Sequence, residues 1–255
     1  MNNSSSNRIY GNRGTLGKAM NTAKNVASSN TFKYIMVVIL VVILIVVIYF
    51  IFKGQTDQYS LKNPILIDAP TNGFSQDTRG IVKRIPQNAN PFSFSYSLWI
   101  YISEWNEKEK YILQRGSNNN TILLPSLRIG TNTNDLTATI STTKRDEQCN
   151  VANIPLQKWV HIVYVLNNRT VDIYINGRLE RSCVLEGIPL ARTVQDVAIV
   201  PNGGFFGQIS RVQYFSSSLE PVDVERIYLD GPYDGKKYDV KFFEKGNIVN
   251  IDERY

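Results

Sequence analysis

The chain is poor in the residues from which most catalytic and metal centres are built. Of 255 residues, one is histidine, two are cysteine and three are tryptophan. A structural zinc site needs a cluster of Cys and His ligands, and no such cluster exists in this sequence. Any Ser-His-Asp or Cys-His centre would have to use His161. Alternation puts His161 on the same strand face as Trp159, Val163 and Val165, in a largely apolar run, where a hydrogen-bonded core histidine is the expectation. Glycoside hydrolysis needs a pair of carboxyl groups, one as acid and the other as nucleophile or base. Asp146 and Glu147 are adjacent, so on a strand they point to opposite faces. Glycoside hydrolysis by such a pair is therefore not expected.

Charge is missing from another place. From Tyr34 to Phe52 (YIMVVILVVILIVVIYFIF) there is no charged residue, and Lys33 and Lys53 close the run at its two ends. About twenty apolar residues suffice for a helix to cross a hydrocarbon core of roughly 30 Å, and a helix satisfies its own backbone polar groups there. No small-residue cleavage motif follows the run, as a signal peptide would require. The sequence thus predicts one transmembrane helix over 34–52, with Lys33 and Lys53 as its interfacial anchors and the lipid bilayer as a partner.

Residues 1–33 form an arm rich in Asn, Ser and Gly that carries Arg8, Arg13, Lys18, Lys24 and Lys33 and no acid. Lys and Arg beside a span favour the cytoplasmic side, so the expected topology is single-pass, with the N-terminus cytoplasmic and the C-terminal part on the opposite side. The net charge of +6, from 28 basic and 22 acidic residues, raises the question of nucleic acid. The basic residues are spaced singly, without the clusters and stacking aromatics of a nucleic-acid groove, so nucleic acid is excluded as a partner and attraction to anionic headgroups accounts for the arm. Leu16, Ala19, Met20, Ala23, Val26 and Ala27 recur at helical spacing; an interfacial helix and a solvated tail fit this pattern equally.

Beyond the span, 53–91 is rich in Gly, Pro, Asn and Asp and reads as a stalk or linker. Residues 92–230 form one block of ordinary domain size. Residues 231–255 are a charged and aromatic tail containing Tyr233, Tyr238, Phe242 and Phe243.

Period-two alternation dominates the block. Phe92, Phe94, Tyr96, Leu98, Ile100 and Ile102 share one face of a strand, with Ser93, Ser95 and Ser97 on the other. Trp159–Leu166 is apolar on both faces, as a central strand would be. Asn176-Gly177, between Val171–Ile175 and Leu179–Leu185, is a hairpin signal because both residues tolerate positive φ. Further strands are expected at 112–114, 126–129, 136–142, 196–200 and 208–215, and one helical turn at 222–228. Many short strands imply an all-β sandwich or barrel.

The segment from Phe92 to Tyr101, including Trp99, resembles the opening strand of concanavalin A-like, laminin-G-like (LamG) domains. Trp159-Val-His161-Ile-Val followed by Val171-Asp-Ile-Tyr-Ile-Asn176-Gly177 is similar to their central segment, and Gly207–Phe215 with Leu219, Ile227 and Tyr228 resembles their closing strand and short helix. The resemblance covers roughly residues 90 to 230. It implies a two-sheet antiparallel jelly-roll sandwich, preceded here by the transmembrane helix.

Relatives of this fold often bind calcium at the sandwich rim. The candidate ligands are Asp135, in the turn Asn132-Thr-Asn-Asp135, and Asp196; a turn-forming role explains Asp135 equally well. No other cofactor is expected. Cys149 and Cys183 either form one disulfide, if the domain lies outside the cytosol, or remain two buried thiols. Asn119-Asn-Thr121 and Asn168-Arg-Thr170 fit the glycosylation acceptor pattern. Sugar recognition by this fold usually needs an exposed aromatic, for which Trp105 is the candidate, with a packing plug as the alternative.

A fold alone does not name a function. The expectation is a membrane-anchored, non-enzymatic structural or binding module. Its resemblance to membrane and minor capsid proteins of large DNA viruses implies a virion protein that links membrane to shell. The alternative is a membrane-bound lectin or adhesion protein that recognises glycans. The partners to be expected are accordingly structural or capsid proteins, or glycans.

Overall fold

The computed structural model describes residues 30–116, 122–191 and 195–233, and the backbone of 241–244 and 247–250. The arm through residue 29, with its expected interfacial helix, and the acceptor at Asn119 lie outside the described residues. The chain divides into two units between Gln58 and Tyr59.

Helix α1 (Asn30–Lys62) has 33 residues, about 50 Å at 1.5 Å per residue. It is long and apolar enough to cross a membrane, and Tyr34 to Phe52 are exposed all round it. The helix outruns the predicted 34–52 because its polar continuation is a competent helix. Thr56 donates to the carbonyls of Phe52 and Lys53 (3.2 and 2.8 Å). The helix stops where Pro64 disfavours helical backbone at Asn63, and both the backbone and side-chain amides of Asn63 donate to the Tyr59 carbonyl.

The segment read as a stalk, 53–91, therefore completes the helix and then enters the sandwich as three short strands, β1 (Ile65–Ile67), β2 (Thr71–Phe74) and β3 (Ile81–Arg84). These eluded the alternation rule because each lies at or near an edge and turns at most two apolar side chains inward. After them come β4 (Ser93–Ile102), β5 (Lys110–Gly116), β6 (Leu123–Ile129), β7 (Leu136–Ser141), β8 (Asp146–Val151), β9 (Trp159–Asn167), β10 (Thr170–Ile175), β11 (Arg178–Val184), β12 (Asp196–Ile199) and β13 (Gly204–Phe215). Helix α2 (Pro221–Leu229) and a separate two-stranded ribbon, β14 (Lys241–Glu244) with β15 (Asn247–Asn250), complete the described chain.

Two antiparallel sheets pack into a sandwich. The first runs β1-β13-β4-β9-β10-β11, with β2 beside another part of β13; the second runs β3-β12-β5-β6-β7-β8. The core lies where β4 and β9 pair. Phe94 opposes Leu166, Tyr96 opposes Tyr164, Leu98 opposes Ile162 and Ile100 opposes Val160, all facing inward and buried. Burying a side chain of this size contributes about 1.5–3 kcal/mol, so these eight positions supply much of the driving force. Strand β8 has no counterpart among the predicted strands, since only Cys149 and Val151 of its six residues are buried.

The chain enters the sandwich at the end where β4 begins. Asn63 Oδ1 accepts the backbone amide of Ser216 (2.9 Å), its carbonyl accepts the Gln213 side chain (3.1 Å), and Phe215 pairs with Ser95 near the start of β4. The far end, about 30 Å away along the ten residues of β4, carries the loops after Phe74, Ile102 and Val151.

Candidate binding face

The outer face of the first sheet is the first place to look for chemistry, because it holds the histidine. Ser97 Oγ lies 2.8 Å from Nε2 of His161. Both are buried. Trp99, the cross-strand neighbour of His161, lies against the imidazole (centroids 4.9 Å apart), and Tyr228 of α2 stacks on both rings at 5.6 and 5.9 Å. Nδ1 of His161 has no protein hydrogen-bond partner, so no carboxylate orients the ring as a catalytic base requires. Burial, and then the charge of Arg211, hold its pKa down to about 3. This Ser-His pair is a neutral packing element beneath a lid.

The lid forms for local reasons. Pro221 sits at the first turn of α2, where its missing N–H costs nothing, and Val224 buries against Val163, Val165 and Tyr174. The turn of the Asn176-Gly177 hairpin is bound under it. Both residues have positive φ (50° and 77°), the Asn176 side chain accepts the backbone N–H of His161 (3.0 Å), and a Cβ on Gly177 would stand 3.0 Å from the Tyr228 ring. The start of the tail continues the cover: Tyr233 Oη accepts the Trp159 indole N–H (2.9 Å), and Ser210 donates to the Pro232 carbonyl (2.6 Å).

The two cysteines stand on the terminal strands of the two sheets, β8 and β11, and are joined in a disulfide. The bond clips together the edges at which the sandwich would otherwise gape.

The remaining sequence-derived candidates are dispersed. Asp135 precedes β7, and its Oδ1 accepts the Asn153 amide (2.9 Å). Asp196 opens β12, opposite Arg84. Three strand spacings separate β12 from β7, roughly 14 Å at 4.8 Å each, whereas calcium ligands lie about 2.3–2.6 Å from the ion. The two carboxylates do not meet in one site, and among the described residues no three His, Cys, Asp or Glu groups gather. Trp105 is 38% exposed, with the Lys110 ammonium 3.6 Å from its ring centroid. Lys110 is itself buried and donates to the carbonyls of Asn106 and Lys108 (2.7 and 2.8 Å), and desolvation lowers its pKa. Trp105 thus covers a buried cation.

An exposed aromatic pair stands at the same end of the sandwich. Phe74 (40% exposed) and Phe206 (39%) stack at 5.2 Å, nearly parallel. The Phe206 carbonyl accepts the Ser103 amide (3.0 Å), and the Ile102 carbonyl accepts that of Gln157 (2.9 Å), so the segments bearing Phe74, Phe206, Trp105 and Leu156 converge at the end of β4. A signal for Phe206 was present in Gly203-Gly204-Phe205-Phe206-Gly207, because adjacent aromatics on a strand face opposite ways and only one can enter the core. Phe205 does so. Phe74 had no such signal.

An antiparallel two-sheet sandwich of this form, covered on one face by a short helix, defines a jelly-roll, lectin-like binding fold. Residues 79–225 match the family model described as "Concanavalin A-like lectin/glucanases superfamily"; the match spans more than half of the chain, which belongs to that family. No curated protein sequence matches it significantly. Among solved structures, the binding domain of botulinum neurotoxin DC in complex with rat synaptotagmin II is similar with a TM-score of 0.50 at 19% identity, over 68% of this chain and 44% of that one. The botulinum neurotoxin serotype D binding domain gives 0.49 at 19% identity, over 61% and 41%. The DC binding domain in complex with SialylT gives 0.48 at 20%, over 58% and 38%. The chain spans less than half the length of these structures, and the likeness is one of fold.

Proposed function

We propose that this protein is a single-pass, membrane-anchored, non-enzymatic binding module. One observation carries the reading: an apolar helix exposed on every side runs, with only Asn63 and Pro64 between, into the first strand of a lectin-like sandwich. Stable burial of that helix surface requires lipid. The cytoplasmic side takes the basic arm, and the sandwich occupies the other. The buried, acid-less Ser97–His161 pair and the dispersed carboxylates support a role without catalysis. Carbonate extraction tests the anchor: the protein stays with the membrane pellet, and its release into the supernatant overturns the reading.

Phe74 and Phe206 favour the loop end opposite the chain's point of entry as the binding face. A flat, exposed, stacked aromatic pair suits the apolar face of a sugar ring or a protein surface, so the partner is a glycan or a protein, a virion shell protein among the latter. Glycan arrays and pull-downs with full-length protein in detergent test this. Phe74→Ala and Phe206→Ala abolish capture of the ligand that the unaltered protein retains; undiminished capture by both moves the site elsewhere.

A further inference from the structure

We propose that Asn168 is an N-glycosylation acceptor and that its modification records which side of the membrane holds the sandwich. The inference rests on the anchored reading above. Asn168-Arg169-Thr170 fits the Asn-x-Ser/Thr pattern, a common accident in a chain rich in asparagine; its setting distinguishes it. Asn167 pairs with Thr170 across the β9–β10 turn, leaving Asn168 and Arg169 as its two tip residues, and Asn168 adopts a left-handed φ of 54°, which Asn tolerates better than most residues.

The tip is exposed from Asn167 to Arg169, as a bulky surface glycan requires. The Arg169 side chain is drawn aside, its guanidinium donating to the Leu185 and Glu186 carbonyls (3.0 Å each). The Asn168 amide meets the equally exposed Asn167 side chain (3.1 Å). The compartment agrees. A disulfide joining β8 to β11 belongs to an oxidising environment, which in a eukaryotic secretory pathway is also the lumen where glycans are added, and the acid-free basic arm favours the cytoplasm for the other end. The backbone N–H of Asn168 donates to the Phe92 carbonyl (2.7 Å), just before β4, so a glycan there leaves Phe74 and Phe206 uncovered at the other end.

The arm carries acceptors of its own, Asn2-Asn3-Ser4 and Asn3-Ser4-Ser5, which only the reverse orientation would present to the lumen. This makes the experiment decisive. The full-length chain is translated into endoplasmic-reticulum microsomes, treated with or without a peptide-N-glycosidase, and compared with Asn168→Gln, Thr170→Ala, Asn119→Gln and the double variant Asn2→Gln/Asn3→Gln. The expected result is a glycosidase-sensitive shift that loses one step in both Asn168→Gln and Thr170→Ala. The second substitution preserves the turn asparagine and so separates loss of the acceptor from misfolding. An unchanged step count in both variants overturns the proposal. If the sandwich is protease-protected and Cys149–Cys183 is bonded but no step depends on Asn168, the anchor reading stands and the acceptor fails. A glycan carried only on Asn2 or Asn3 overturns the orientation and the acceptor together.

Discussion

Ser97 on β4 and His161 on β9 meet 2.8 Å apart beneath α2, with the imidazole against the rings of both Trp99 and Tyr228, which also stack on each other. The pair is built for a neutral ring. His161 has its pKa pushed down to about 3, by burial first and by Arg211 second, whereas an unfolded histidine titrates near 6.5. Between these values the unfolded chain binds one more proton than the folded one. Stability from this group is therefore complete above about pH 6.5 and declines as pH falls toward 3, by about 1.4 kcal/mol per pH unit. Denaturant midpoints at pH 7, 5 and 4 follow this decline, and His161→Gln reduces it while lowering stability at pH 7.

The Cys149–Cys183 bond closes a sequence separation of 34 residues, for which chain-entropy estimates give about 4 kcal/mol. Cys149→Ser/Cys183→Ser lowers the unfolding free energy by about 2–4 kcal/mol, read from the midpoint in urea. The unaltered protein in excess reductant shows the same shift.

Gly207 passes so close to β4 that a Cβ would stand 1.8 Å from the Tyr101 carbonyl oxygen, on a backbone with φ of 149°. Gly207→Ala must break the β13–β4 ladder locally. A cost above about 3 kcal/mol is expected, at the severe end for single substitutions, and is measured as a fall in melting temperature or in folded yield.

Trp105 and Phe206 are nearly equally exposed yet predict different outcomes. Trp105→Ala uncovers the Lys110 ammonium and forfeits a partly desolvated cation–π contact, worth about 1–2 kcal/mol; Lys110→Met in the same background recovers part of the loss. Phe206→Ala removes a solvent-facing stack worth about 1 kcal/mol or less, so the larger effect falls on ligand capture. Parallel thermal melts and binding assays separate the two roles.

Where alternation was strong, sequence and structure agree residue by residue. Phe94, Tyr96, Leu98, Ile100 and Ile102 share the inward face as read, and Trp159–Leu166 is apolar on both faces, Val160, Ile162, Tyr164 and Leu166 facing the core and Val163 and Val165 facing α2, because a strand between two packed layers must keep period two. The Asn176-Gly177 turn was equally legible, since few residues other than Asn and Gly accept positive φ twice in succession. The short strands β1, β2 and β3 and the polar strand β8 were not legible. Their pairing comes from neighbours distant in the chain, such as β13 for β1 and β2, and a local window holds at most a short apolar piece such as Ile65-Leu66-Ile67. The same limit hid the Phe74–Phe206 pair, which joins residues far apart in sequence.

The sequence by itself determined the apolar helix and the all-β sandwich, because each depends on local composition or period. Tertiary structure alone decided which cysteine edge meets which, that the histidine lies sealed under α2, that Trp105 caps a buried lysine, and that two phenylalanines stack in the open. Each of these is a contact between segments, set by sheet order and by which side chains the sandwich leaves outside.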